Sequence, residues 1–202
     1  ASDVYKRQAL AKKFPLELTV VNCDMPQFLN NFSQDKKENQ ASIFAELTNR
    51  LQKAGADFVV LPSIGGSFCL NEFKEKSPLP VQDVMTPLRA YMDRYKGKTI
   101  GLIGTNKAMN TKIYNFFSEL DWLIPDGKQF TNVHNSYVAL ATEGKADKIN
   151  AEILISASRK LIDRGAEAVV LGGTDLFLVF ENQELPFDVI DCADIHIRHI
   201  GN

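Results

Sequence analysis

Ala54-Gly55-Ala56-Asp57-Phe58-Val59-Val60-Leu61-Pro62-Ser63 returns later in the chain as Arg164-Gly165-Ala166-Glu167-Ala168-Val169-Val170-Leu171-Gly172-Gly173. Both segments have the same grammar. A glycine follows an amphipathic stretch and stops a helix. A fully apolar run then follows, as a parallel strand covered on both faces requires. A small-residue loop comes next. Each half continues into a short Leu-Pro strand, at Leu79-Pro80 and at Leu185-Pro186. A repeat on this scale is an internal duplication, with a strand-end loop at the same place in each copy. Open α/β sheets bind ligands beyond the carboxyl ends of their strands, so two such loops can face each other across a cleft.

Working outward, apolar residues Ile43, Phe44, Leu47 and Leu51 have helical spacing within 38–54. Residues 16–22 read as a short strand, 79–84 as a weaker one and 86–96 as a helix. The pattern restarts with a strand from Thr99 to Ile103 leading into Gly104-Thr105. A helix is expected over 107–120, a turn at Asp126-Gly127, and a helix over 145–164 with Ile149, Ile153, Ala157 and Leu161 on one face. A strand over 187–190 and a terminal helix from about 192 complete the chain. Strands alternating with helices predict an α/β fold of two pseudo-symmetric halves with mostly parallel sheets. The halves divide at 1–96 and 97–202, with the last helix a candidate to pack back on the first half. Residues 1–8 fit neither a strand nor an amphipathic helix and read as a leader or remnant.

The repeat also predicts an absence. The second half opens near Thr99, ahead of Gly165. The same offset from Gly55 falls before residue 1, so the first half is expected to lack its opening strand and the loop after it. Either the chain is truncated or the two halves are not fully equivalent, and a truncated sheet edge favours instability or a covering partner.

Composition narrows the function classes. The 202 residues are 45% hydrophobic and 24% charged, with 23 basic and 25 acidic side chains and a formal charge of -2. That suffices for a real core and gives no basic footprint for nucleic acid. No apolar run is long enough for a membrane span, and no signal peptide is visible. Cys23, Cys69 and Cys192 are too few for a disulfide scaffold and wrongly spaced for zinc, so a reducing cytoplasmic setting is expected. The histidines form no metal pattern. Neither a phosphate loop nor a dinucleotide fingerprint is complete, so no cofactor is expected.

The loops carry a family likeness. From about Leu16 to the end the chain resembles the aspartate/glutamate racemase family of cofactor-independent amino-acid racemases and related isomerases and decarboxylases. That resemblance implies a catalytic cysteine on each strand-end loop, approximately Pro-Cys-Asn-Thr-x-His and Leu-Gly-Cys-Thr-Glu, and a small amino acid or dicarboxylate in the cleft. Related proteins are often dimers, so the resemblance also implies a homodimer. The first motif falls on Pro62-Ser63-Ile64-Gly65-Gly66-Ser67, with Ser63 at the cysteine position. The second falls on Leu171-Gly172-Gly173-Thr174-Asp175, with Gly173 at the cysteine position. Gly104-Thr105, Thr111 and Tyr114 resemble the family's substrate-carboxylate segment. Asp191 and His196 match an Asp and a later His near the family's end.

Two-base racemisation needs a proton acceptor on each face of the substrate. A serine hydroxyl is a poor base without activation, and glycine offers no side chain. The usual two-thiol mechanism therefore cannot run at Ser63 and Gly173. Substitutes are Cys69 and Asp175, with Cys23 and His196 further candidates. Cys69 lies between apolar Phe68 and Leu70, which favours a buried core role over a catalytic one. Cys192 reads as packing, and His134 and His199 as surface residues. Ser63, Gly65, Gly66, Ser67, Thr105, Thr111 and Thr174 are candidate substrate contacts. The serines and Thr105 serve equally well as helix caps, as does Asp175. Four functions follow: an isomerase-like enzyme, a silent small-carboxylate binder, a one-base lyase or decarboxylase, or a structural protein completed by a partner strand.

Overall fold

The computed structural model describes residues 17–110, 117, 119–181 and 183–200. In the first half, α1 (Met25–Ser33) and α2 (Lys37–Lys53) precede β1 (Val59–Leu61), α3 (Leu70–Lys76), β2 (Val81–Asp83) and α4 (Met85–Met92). The second half begins with β3 (Thr99–Gly104), α5 (Asn106–Met109) and β4 (Asp121–Leu123). It continues with α6 (Gly127–Glu143), α7 (Lys148–Asp163) and β5 (Ala168–Gly172), then α8 (Phe177–Phe180), β6 (Asp188–Asp191) and α9 (Cys192–Ile200).

Every strand pairing among the described residues is parallel. β1 pairs with β2, and the second half forms a sheet in the order β4-β3-β5-β6. Strand order reverses around β3, the kind of switch point beyond whose strand ends open α/β sheets bind ligands. Gly104 and Gly172 lie opposite each other at those ends. A Cβ on Gly104 would sit 2.8 Å from the Gly172 carbonyl oxygen, so only glycine permits this close approach.

The repeated sequence folds into repeated geometry. Gly55 and Gly165 adopt φ of +91° and +103°. Gly55 N–H donates to the Gln52 carbonyl and Ala56 N–H to the Leu51 carbonyl; Gly165 and Ala166 do the same to Ile162 and Leu161. Both are Schellman turns that satisfy the last carbonyls of the preceding helix and aim the chain into the strand.

Alternation along β3 and β5 builds two cores. Ile100, Leu102, Ala168 and Val170 point into one that also holds Ala41, Phe44, Leu88 and Met92 of the first half. Ile103, Val169 and Leu171 point into the other, under α6 and α7, with Val133, Leu140, Leu154 and Leu161. The first half thus packs on one face of the four-stranded sheet. α9 packs against α4 of that half.

Three local expectations are corrected. Residues 17–24 form no strand: Leu18 and Val20 are exposed, and no described strand pairs with them. The helix expected over 107–120 ends as α5 at Met109. Residues 111–116 and 118 lie outside the described residues, and Asp121–Leu123 is a strand aligned on Thr99–Gly101. Asp126-Gly127 is not an isolated turn but the start of the 17-residue α6. The expected missing strand concerns the region ahead of Glu17, and residues 1–16 also lie outside the described residues.

Candidate functional site

Three strand-end loops carry the candidate residues. After β1, Ser63 opens a 3-10 turn over Gly65–Cys69. Ser63 Oγ accepts the Gly66 N–H at 3.2 Å, and Ser67 Oγ donates to the Ser63 carbonyl at 3.3 Å. Ser67 is buried, while Ser63 and Gly65 are half-buried. Among the described residues no histidine or carboxylate hydrogen-bonds Ser63 Oγ, so nothing activates it as a base. Its own O–H remains a donor, because a hydroxyl can accept and donate together.

After β3, Thr105 is the N-cap of α5 and accepts the Ala108 N–H at 3.1 Å. It too keeps a proton to donate. Thr111 and Tyr114 lie outside the described residues. After β5, Gly173 leads into a 3-10 turn over Thr174–Leu176, with Thr174 and Asp175 half-buried.

The space above Gly173 is filled. A Cβ placed there would lie 2.3 Å from Tyr137 Cε2 and 2.4 Å from its Cζ and Oη. Gly173 has an extended backbone (φ -169°), so this conflict is purely one of space. Tyr137 Oη donates to Asp175 Oδ2 at 3.4 Å. Burial, then the Asp175 carboxylate, push the phenol well above its ordinary range, so Tyr137 is a neutral donor. One turn earlier on α6, His134 Nδ1 accepts the Asn106 N–H at 3.2 Å. His134 is therefore half-buried against the Thr105 loop, not the surface histidine expected. α6 lays His134 over the β3 loop and Tyr137 over the β5 loop.

The substitute thiols sit elsewhere. Cys69 is fully buried, and its Sγ donates to the Gly66 carbonyl at 3.6 Å. Burial, reinforced by Glu72, pushes its thiol up to about 12. A thiol held protonated in the core is a poor base. Cys192 is fully buried beside Asp191, and its thiol is likewise raised. Cys23 is half-buried and accepts from Gln40 Nε2 at 3.5 Å. Asp191 Oδ1 caps α9 through the N–H groups of Ala193 and Asp194. His196 is buried in α9.

A contact between the halves was not anticipated. Lys107, two residues past Thr105, sends its ammonium to the Phe32 backbone carbonyl of α1. Its Nζ lies 3.6 Å from the Phe32 ring centroid and 5.7 Å from that of Phe68, which follows Ser67. The β3 loop of one half thus meets the β1 loop of the other. Two open depressions of about 460 and 510 Å³ lie instead on the outer side of α6 and α7 and include no strand-end residue. Among the described residues no group of three His, Cys, Asp or Glu side chains could hold a metal ion. No described helix is long and apolar enough to cross a membrane.

Parallel α/β halves with paired strand-end loops at their contact define a racemase-type fold. The chain belongs to the Asp/Glu/Hydantoin racemase family, whose model matches residues 5–200. It superposes on a candidate Asp/Glu racemase from Yersinia pestis with a TM-score of 0.80 and 16% identity, over 99% of this chain and 92% of that one. An aspartate racemase homologue from Pyrococcus horikoshii OT3 gives 0.78 and 19%, over 98% and 92%. The Picrophilus torridus aspartate racemase gives 0.71 and 15%, over 99% and 89%. At these identities the superpositions speak for the fold alone.

Proposed function

We propose that this racemase-family chain holds a small amino acid or dicarboxylate between its strand-end loops, without a cofactor, and does not racemise it by the two-thiol route. The observation that carries this reading is Tyr137 standing in the space a side chain at position 173 would use. The second face of the site then offers a neutral phenol beside Asp175 in place of a thiolate. On the first face, Ser63 is engaged in its own turn. The hydroxyls of Ser63 and Thr105 each retain a proton to donate, which suits a carboxylate acceptor. Cys69 and Cys192 are too deeply buried to replace the missing bases.

The test uses L-aspartate, L-glutamate and L-alanine, each incubated with the protein in deuterated water. Proton NMR follows the α-hydrogen, chiral chromatography follows inversion, and calorimetry follows binding. The expected result is saturable binding without α-hydrogen exchange. Exchange with inversion would overturn the reading. Exchange with retention would favour one-sided chemistry, with Asp175 as the base that Tyr137 orients.

A further inference from the structure

The Thr105 hydroxyl serves a carboxylate only where its turn holds it, and α5 has little of its own to hold that turn. With four residues, α5 is far too short to be stable without tertiary support. Its far end is anchored by Ala108 and Met109, which are buried in the two separate cores. Its near end presents leading N–H groups that no helical carbonyl reaches. Thr105 Oγ1 accepts the Ala108 N–H at 3.1 Å, and His134 Nδ1 accepts the Asn106 N–H at 3.2 Å. The first of these bonds is local. The second ties the turn, at the residue directly after Thr105, to a different element.

His134 stands on a part of α6 that is well fixed. Its neighbour Val133 is buried in the same core as Met109, and so is Leu140. Tyr137, one turn further on, reaches Asp175 of the β5 loop. One helix therefore holds both loops: His134 accepts from the β3 loop, and Tyr137 donates to the β5 loop. Among the described residues the Asn106 N–H is the only hydrogen-bond partner of the His134 ring. An imidazole that accepts at Nδ1 carries its proton on Nε2, so the bond demands one tautomer.

From this placement we infer that His134 is a positioning residue: through the Asn106 N–H it fixes the Thr105 turn, and with it the direction in which the Thr105 hydroxyl meets a ligand. The inference rests on the carboxylate reading proposed above and adds a residue that reading does not use. His134 acts through the backbone and needs no contact with the ligand. What the turn requires is an acceptor at the place of Nδ1, not an aromatic ring as such.

Two substitutions separate a positioning bond from packing. An asparagine amide places its oxygen near the position of Nδ1, whereas leucine offers no acceptor. Calorimetry on the full chain, with L-aspartate, L-glutamate and L-alanine, should show His134→Leu binding about tenfold more weakly than the parent, the scale of one hydrogen bond to a charged acceptor. His134→Asn should restore affinity to within about threefold of the parent. Nitrogen-15 NMR of the parent's imidazoles at about pH 8, above the ordinary histidine range, should show Nδ1 of His134 without a proton and Nε2 with one. A proton on Nδ1 at that pH overturns the inference and needs no variant to fold. If the parent binds one of the acids and His134→Leu binds it equally well, the inference falls while the carboxylate site stands. If His134→Asn loses as much affinity as His134→Leu, the ring acts by packing and the inference falls as well. Binding of none of the three acids by the parent removes the carboxylate reading and this role with it.

Discussion

Gly173→Cys, which places a thiol where the family's second loop has one, is expected to destabilise the protein by about 2–3 kcal/mol, the range for overpacking a filled site. The new Cβ alone would stand 2.3–2.4 Å from three atoms of the Tyr137 ring, well inside van der Waals contact. Relief requires the ring to leave. Leaving breaks the bond from Tyr137 Oη to Asp175 and withdraws the ring from the core beneath α6. Tyr137→Ala is destabilising in its own right, because it strips buried ring surface. The informative quantity is therefore the coupling in a double-mutant cycle read by urea unfolding. In the Tyr137→Ala background, Gly173→Cys should cost less than in the parent by about 1–2 kcal/mol. Additive costs would mean that the ring does not hold the space above Gly173, and the proposal of a one-faced site would lose its support.

The same contact shows where sequence stops being informative. The absence of a side chain at position 173 is plain from the motif. What fills the vacated volume is not, because Tyr137 lies far away in sequence and reaches the loop only through the docking of α6. The signal for α6 was present. Phe130, Val133, Tyr137 and Leu140 recur at helical intervals behind Asp126-Gly127. A glycine at the first helical position makes the pair read as a turn, so Tyr137 is not singled out and His134 reads only as a surface residue. Lys107 escaped for a similar reason. A lysine beside a cap reads as solvated surface until α1 of the other half is packed against it.

Where local and tertiary preferences agree, the sequence is a good guide. Gly55 and Gly165 end their helices because a left-handed residue is needed, and the apolar runs after them can be satisfied only between two layers. The parallel halves follow. Where a segment depends on a partner, sequence misleads. Leu18 and Val20 alternate like a strand, yet no described strand offers them a ladder, and they stay exposed. Conversely, Asp121–Leu123 is too short for a periodic signal and is a strand because β3 supplies its hydrogen bonds. The capping readings for Ser63 and Thr105 and the binding readings also coexist. A hydroxyl that caps by accepting still has its proton to give.

The first loop is supported from below by a buried charge, and Asp83→Ala is expected to cost about 2–3 kcal/mol, as for loss of charge-assisted bonds together with a helix cap. Asp83 ends β2 opposite Leu61, two residues before Ser63, and is 3% exposed. Its Oδ1 accepts the Thr86 N–H at 2.8 Å, and its Oδ2 accepts the Thr86 hydroxyl at 2.9 Å and pairs with Lys74 Nζ at 2.7 Å. Burial alone would raise this carboxyl, but the bonds from Lys74 and Thr86 outweigh it and hold the group below its ordinary 3.8. A carboxyl with a depressed folded-state value binds its proton more readily when unfolded. Its contribution is thus complete above the unfolded value, near 4, and declines as pH falls through the lower folded value. Urea unfolding at pH 7 and at about pH 3 checks both points. The gap between parent and Asp83→Asn should be open at neutral pH and narrow in acid, where the parent's carboxyl begins to protonate as well. Lys74 is 41% exposed, so Lys74→Met should cost less than Asp83→Ala, about 1 kcal/mol or below. A parent-to-Asn gap of constant size from pH 7 to 3 would show that the Asp83 charge does not hold the start of α4 in place beneath the β1 loop.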